Sequence, residues 1–291
     1  MTDLATVRAR LEAAYQDMSR QQRRAARYVL NTPTEIALYP LRQVASRAGV
    51  GAATMVRLAN SMGFASYNEF RELFRDGLRN GADRYYGSRA EKFISRRSGF
   101  DTLHRATRDT LSRSIEETFD AASAAQVEAA GQTIARARRF YILGLRSNYA
   151  VAFYFHYVLS TFLSNVVLLE DRMEMLIDEL GELGDRDALL VMSSEPYAAS
   201  AVKAVEYAVK VGAAVIALTD SPVAPVTRGA KHVFALPITT TSFYQSMVSK
   251  MALIEAFVAY LFAKGGARAV SRMKTEFERR ERFGIYWHEQ G

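Results

Sequence analysis

The sequence predicts two domains: an all-α bundle built around a helix-turn-helix, followed by an α/β three-layer sandwich with a five-stranded parallel sheet. Three observations predict this. The chain has 291 residues, more than one hydrophobic core usually serves. Apolar residues recur at helical spacing up to about residue 80. Beyond about residue 121, short apolar runs alternate with helical stretches, the pattern of a parallel sheet covered on both faces. The expected division is 1–80 for the helical domain, 81–120 for a linker and connecting helix, 121–265 for the α/β domain and 266–291 for a helical tail.

Four helical stretches are expected in the first domain. Ser19 opens one, with Ala25, Ala26, Val29 and Leu30 on one face, and it ends near Asn31-Thr32-Pro33 because a proline disfavours a helical residue before it. Pro40, whose fixed φ suits a first turn, opens the next, with Leu41, Val44, Ala45 and Ala48 inward, and Gly49 stops it. After the third stretch, Gly63-Phe64 forms a break. Ser66 and Glu69 then make a capping box for a last helix to Arg79, with Tyr67 and Phe70 read as core.

The segment from Leu41 to Met62 carries the helix-turn-helix. Two helices crossing steeply through a tight turn need a small residue at the crossing, a glycine in the turn and apolar residues that lock the second helix on the first. Ala45, Gly49, and Val50, Met55 and Leu58 supply these in turn. The second helix of such a unit enters the major groove with its first residues at the base edges. The candidate DNA-contacting residues are Arg42, Gln43, Ser46, Gly51, Ala53, Thr54, Arg57 and Asn60. Arg57 suits guanine or phosphate and Asn60 adenine or phosphate, whereas the Gly-Ala run offers close approach with few hydrogen bonds, so DNA shape is expected to contribute to specificity.

Charge agrees with a polyanionic partner for this domain. The formal net charge of +7 is uneven: residues 1–100 hold 17 Lys and Arg against 9 Asp and Glu, and the other 191 hold 21 against 22. Binding driven by such a surface is salt-dependent through counterion release.

From Asn80 to Gly99 the chain is polar and Arg-rich, the expected linker; Asp101 to Phe119 then reads as an amphipathic helix with Leu103, Ala106, Leu111, Ile115 and Phe119 inward. The expected strands are Arg139–Leu145, Asn165–Glu170, Ala188–Ser194, Ala214–Asp220 and Val233–Ile238. The helices between and after them are Tyr149–Leu163, Met173–Leu180, Ala198–Val211 and Gln245–Ala263. The tail, Arg268–Phe283 with Ile285, Tyr286 and Trp287 beyond, packs either on its own domain or on a neighbouring subunit.

Polar residues collect at the strand ends, where open α/β sheets bind ligands. They are Arg146, Ser147 and Asn148 after strand one, Ser193, Ser194 and Glu195 after strand three, Thr219, Asp220 and Ser221 after strand four, and Ser242 beyond strand five. Each alone is accounted for by helix capping. Together they predict a shared pocket for an anion or a polyol.

Several classes are excluded or disfavoured. The chain has no cysteine, hence neither disulfides nor thiolate metal sites, and the four histidines, His104, His156, His232 and His288, are too scattered for a metal site. No cofactor is expected. The amino terminus does not read as a signal peptide, and no apolar run approaches the ~18 residues of a membrane span, so a cytoplasmic protein is expected. No catalytic residue is assigned: Glu195 or Glu255 would be a base without an evident partner.

Asn31-Thr-Pro through Ala48-Gly-Val, Ala53-Thr-Met-Val-Arg-Leu, Gly63-Phe and Tyr67-Asn-Glu-Phe70 resemble the amino-terminal domain of the RpiR/MurR family of bacterial regulators. From about Ala124 to Lys264 the chain is similar to the SIS (sugar isomerase) domain of that family, most clearly in Ala208-Val-Lys-Val-Gly212-Ala-Ala-Val-Ile-Ala-Leu-Thr-Asp220-Ser221 and Ala224-Pro225. The family's phosphate loops are altered. Its Gly-x-Gly-x-Ser reads Gly144-Leu-Arg146-Ser147-Asn148, and its Ser-x-Ser-Gly-x-Thr reads Ser193-Ser194-Glu195-Pro196-Tyr197-Ala198. Pro196 removes a backbone donor and Glu195 adds negative charge, both adverse to phosphate.

The resemblance implies a sequence-specific DNA-binding regulator of transcription controlled by a small-molecule effector; the altered loops point away from an ordinary phosphosugar and toward a carboxylate, an unphosphorylated sugar derivative or a cationic compound. Its partners would be operator double-stranded DNA and a second copy, as a homodimer or a dimer of dimers, because one helix-turn-helix reads too few base pairs. Two alternatives stand beside it, a sugar-phosphate isomerase and a nucleoid-type DNA-binding protein without a ligand.

Overall fold

The structure is a computed structural model that describes residues 4–79, 90, 93–94, 99–171 and 175–287. The chain divides into two compact units: residues 1–97 with 221–225 and 242–244, and residues 98–220 with 226–241 and 245–291. Most of the linker expected at residues 80–99 lies outside the described residues.

The first unit holds α1 (Leu4–Ala14), α2 (Arg20–Asn31), α3 (Pro33–Leu38), α4 (Leu41–Arg47), α5 (Ala52–Ser61) and α6 (Tyr67–Arg79). Ser19 caps α2 through a reciprocal capping box with Gln22. Pro33 ends α2 and immediately opens α3 as its first residue. At α6 the capping differs in detail from expectation: Ser66 Oγ accepts from Glu69 N at 3.2 Å, but the Glu69 carboxylate accepts from Ala65 N at 2.8 Å. The core joins Val7, Leu11, Ala25, Val29, Ile36, Val44, Met55, Leu58 and Phe70, all essentially inaccessible to solvent. Two of these helices, α1 and α3, were not among the four expected. α1 commits only Val7 and Leu11 fully to the core, and α3 has six residues.

The second unit runs α7 (Phe100–Ala121), α8 (Ala124–Arg136), β1 (Phe140–Gly144), α9 (Asn148–Ser160), β2 (Val166–Leu169), α10 (Leu176–Glu179), β3 (Ala188–Met192), α11 (Ala199–Lys210), β4 (Ala214–Thr219), β5 (His232–Ala235) and α12 (Val248–Arg282). The five strands form one parallel sheet of order β2-β1-β3-β4-β5. Strand order reverses between β1 and β3, so the crevice at their carboxyl ends is the topological switch point. Every residue of β1 and β3 is buried, as central strands covered on both faces require. An aromatic core made by Phe140, Phe155, Phe257 and Phe234, with ring centroids 5.9, 6.4 and 5.7 Å apart in succession, fixes α9 and α12 against the sheet.

One expectation for this unit needs correction. On α7 the face turned inward is not the large apolar one: Ile115 and Phe119 are exposed, as is Ala106, while Ser114 and Thr118 are buried. The Thr118 hydroxyl donates to the Ser114 carbonyl at 2.6 Å and the Ser114 hydroxyl to that of Thr110 at 3.0 Å. Satisfied within the helix, these small polar residues bury without penalty and let α12 approach closely. The tail is a helix, as expected, set off from the preceding part of α12 by a break at Gly266, where φ is 51° and ψ −138°, and it runs to Arg282. It is fastened to its own unit by Arg280, which lies 5.1 Å from the Tyr157 ring centroid and donates to its hydroxyl at 3.0 Å. Phe283, Ile285 and Trp287 remain exposed.

Candidate functional site

The helix-turn-helix is built by α4, the turn 48–51 and α5. Gly49 adopts φ +65°, which L side chains rarely do, and the turn closes with Val50 N donating to Ala45 O at 3.0 Å. Met55 and Leu58 are fully buried, so α5 is locked through one face. Its other face presents Gly51, Ala53, Arg57 and Asn60 to solvent, and α4 presents Arg42, Gln43 and Ser46. Thr54 departs from the predicted set. It is 6% exposed, and its hydroxyl accepts from Arg57 Nη2 at 3.4 Å, so it positions Arg57 instead of reaching outward. Arg47, which sequence reasoning did not select, is engaged elsewhere: it pairs with Glu35 at 3.1 Å and lies over the Tyr39 ring. The hydrogen bonds of Tyr28 and Arg47 together hold the Glu35 carboxyl below its ordinary range. Arg71 and Arg75 cap the carbonyl of Ala37, at the end of α3. These engagements leave Arg42 and Arg57 as the cations of the two helices available to a phosphate or a base.

In the second unit the residues following β1, β3 and β4 converge on a lysine that the sequence reading missed. Lys250, in the first turn of α12, is 1% exposed. Its Nζ donates to Asn148 Oδ1 at 2.7 Å and to Ser194 Oγ at 2.5 Å, bridging the loops on either side of the switch point. Burial pushes its pKa down to about 8, and the Asp220 charge opposes that shift. The signal was present: Lys250 stands in register with Leu253, Ile254, Phe257 and Leu261, a core position of the helix that a solvated lysine would not occupy.

The loop geometry explains how this arrangement forms. Gly144 lies under the first turn of α9, and a Cβ there would come within 2.5 Å of Asn148 O and 2.7 Å of the Ala152 Cβ. Arg146 takes the left-handed conformation at φ 56°, leaving its side chain exposed. Ser147 sits at the N-cap of α9 without a side-chain capping bond. After β3, Ser193 and Ser194 are buried. Asp220 then claims the donors of the following loop: its carboxylate accepts from Glu195 N at 3.3 Å, from the Tyr197 hydroxyl at 2.9 Å and from the fully buried Thr219 at 3.1 Å. Ser221 and Ser242 fall in the segments 221–225 and 242–244 of the other compact unit. There Ser221 is buried with its Oγ accepting from Val223 N at 3.3 Å, a capping role, and Ser242 is exposed.

The structure therefore brings Asn148, Ser194 and Lys250 into one cluster and Glu195, Tyr197, Thr219 and Asp220 into another, linked by the Asp220 field at Lys250. Among the described residues no group of three or more acidic, histidine or cysteine side chains is placed to hold a metal ion, and no helix is long and apolar enough to cross a membrane.

Residues 5–80 match the family model for the helix-turn-helix domain of the rpiR family, and residues 133–260 match that of the SIS domain. The chain is an RpiR-family transcriptional regulator. An uncharacterized HTH-type transcriptional regulator of Haemophilus influenzae is 24% identical to this RpiR-family chain over 243 residues, covering 80% of each. Among solved structures, the sugar isomerase domain of an RpiR transcription factor from Sphaerobacter thermophilus superposes with a TM-score of 0.58 at 24% identity, covering 61% of this chain and 98% of that one. The NanR protein of Vibrio vulnificus, complexed with ManNAc-6P, superposes with a TM-score of 0.56 at 17% identity over 95% and 98% of the two chains. These likenesses establish for the RpiR-family chain the fold of a helical domain followed by a SIS domain.

Proposed function

We propose that this regulator binds operator DNA through α5 and is controlled by a sugar-derived effector, without a phosphate on the Ser193–Ala198 loop, bound at the carboxyl ends of β1, β3 and β4. The carrying observation is Asp220. Its carboxylate takes the Glu195 N–H and the Tyr197 hydroxyl, two of the donors a phosphate on this loop would use. With Pro196 lacking an N–H, a phosphate there would meet a carboxylate instead of a cradle. Hydroxyls face no such penalty: Asp220, Ser193, Ser194 and Thr219 can accept from or donate to a polyol, and Lys250 places one buried positive charge beside them. The complex of NanR with ManNAc-6P supports a sugar derivative as the class of ligand.

DNA reading by Arg42, Gln43, Ser46, Gly51, Ala53, Arg57 and Asn60, with Thr54 orienting Arg57, is part of the same proposal, as is pairing of two copies on two half-sites. Calorimetric titration of the full chain with neutral sugars, sugar acids and hexose phosphates tests it. Micromolar binding of a neutral sugar or sugar acid, lost in Ser194→Ala, is the expected result. Equally tight binding of an ordinary hexose phosphate, abolished by Arg146→Ala, would overturn the assignment.

A further inference from the structure

A concavity lies at the opposite ends of the strands. A cleft of about 1000 Å³ opens between the carboxyl end of α8, the segment joining α9 to β2, and the kinked middle of α12. Its lining carries four cations, Arg136, Lys264, Arg268 and Arg272, and not one acidic residue. All four side chains are exposed, and none makes a hydrogen bond or ion pair among the described residues. Arg268 and Arg272 stand four residues apart on one helix, a like-charge spacing that disfavours an isolated helix. A solvated surface has no need to gather four like charges into one concavity. An anion provides that need.

The remaining lining narrows the ligand. Phe162, Leu163 and Leu261 give the cleft an apolar floor. The hydroxyls of Ser164 and Ser271 add neutral donors at its rim. Its volume lies in the range of small-molecule sites, ~300–1000 Å³. Guanidinium forks bind phosphate oxygens in bidentate fashion, and three of the four cations are arginines. An apolar floor under four unpaired cations matches a ligand with a flat apolar body and a highly charged phosphate chain. We propose that this cleft binds a nucleoside triphosphate or a molecule of the same chemistry, independently of the effector site at the other ends of the strands. Lys264 precedes the break at Gly266 and Arg268 and Arg272 follow it, so one polyphosphate engaging all three fixes the direction of the tail relative to the SIS core.

The test is titration of the full chain with ATP and, separately, with inorganic triphosphate at about physiological ionic strength. The wild type is compared with Arg268→Ala/Arg272→Ala and with Ser194→Ala, and circular dichroism melts check that each variant is folded. The expected result is one ATP per chain, bound more tightly than triphosphate because the base covers the apolar floor. Affinity falls at least tenfold in the double arginine variant and is unchanged in Ser194→Ala. Failure of both probes to bind the wild type, or binding that survives the double substitution, refutes the proposal. So does a double variant that changes oligomeric state or DNA affinity while the wild type takes up no ATP, since the cleft would then serve another copy or the DNA backbone.

Discussion

Replacing Lys250 by methionine tests the electrostatics of the strand-end site directly. In the fold its pKa is lowered from 10.5 to about 8, and burial is the cause. The depressed value means that the folded protein gives up this proton more readily than the unfolded chain. Between the two values the unfolded chain therefore binds more protons, and stability rises with pH. At 1.36 kcal/mol per unit the whole linkage is worth ~3 kcal/mol, of which roughly 2 to 3 kcal/mol falls between about pH 7 and about pH 10. Urea unfolding of the wild type and of Lys250→Met across that range isolates the effect, since every other titrating group is common to both. The stability difference between wild type and variant should shift in favour of the wild type by that amount as pH rises. A difference that stays flat would show that the amine titrates normally in the fold, and the account of a buried lysine satisfied by Asn148 and Ser194 would fail.

Three further outcomes follow from the same geometry. Arg57→Ala should weaken operator binding by ~1–3 kcal/mol and relax preference at one base position if Arg57 reads a base, and weaken all DNA alike if it holds phosphate; electrophoretic mobility shifts on operator and random DNA distinguish the two. Gly49→Ala forces an L side chain to φ +65° and should cost about 1–2 kcal/mol in thermal unfolding, the contact with the mobile Arg24 guanidinium adding little; an unchanged melting curve would contradict the turn. Asp187 is fully buried and accepts from Arg138 Nε and Nη2 at 2.9 and 2.6 Å, from Arg139 N at 3.0 Å and from Gly184 N at 2.9 Å. Burial alone would raise its pKa, but these bonds outweigh burial and lower it. Its stabilisation is present above the unfolded carboxylate's pKa and lost as pH falls through the depressed folded value, so Asp187→Asn should cost ~2–4 kcal/mol at neutral pH and flatten the acid limb of the stability curve.

How far the sequence could be read depended on whether a residue's role was set locally or by partners distant in the chain. Ser19, Pro33, Gly49 and the apolar runs of the five strands act through their immediate neighbours, and these elements appear within a few residues of their expected places. The inward face of α7 failed because apolar periodicity pointed to Ile115 and Phe119, whereas hydroxyls bonded back into their own helix occupy the buried face. Thr54 failed similarly, since its position near the start of α5 does not reveal that the helix turns it inward. Lys250 was invisible as a functional group because its partners, Asn148 and Ser194, lie 102 and 56 residues away. Only its register with Leu253 and Phe257 betrayed it.

The strand-end site keeps the form of a ligand loop while changing its chemistry. Arg146 stands where the family's pattern has a second glycine and still adopts the left-handed conformation, at a cost of ~1–2 kcal/mol that a glycine would avoid. Asn148 stands where the pattern has a serine, and its longer side chain reaches Lys250. The backbone donor after Ser194 is turned to Asp220 rather than left open. Random drift away from a phosphate site would leave buried polar groups unpaired at ~1–3 kcal/mol each. Here Asn148 accepts from Lys250, which spans the switch point, and the Glu195 N–H is taken by Asp220, which holds the adjacent loop. Under the proposed function, an effector entering this site would exchange for these internal hydrogen bonds and so favour one loop arrangement over another.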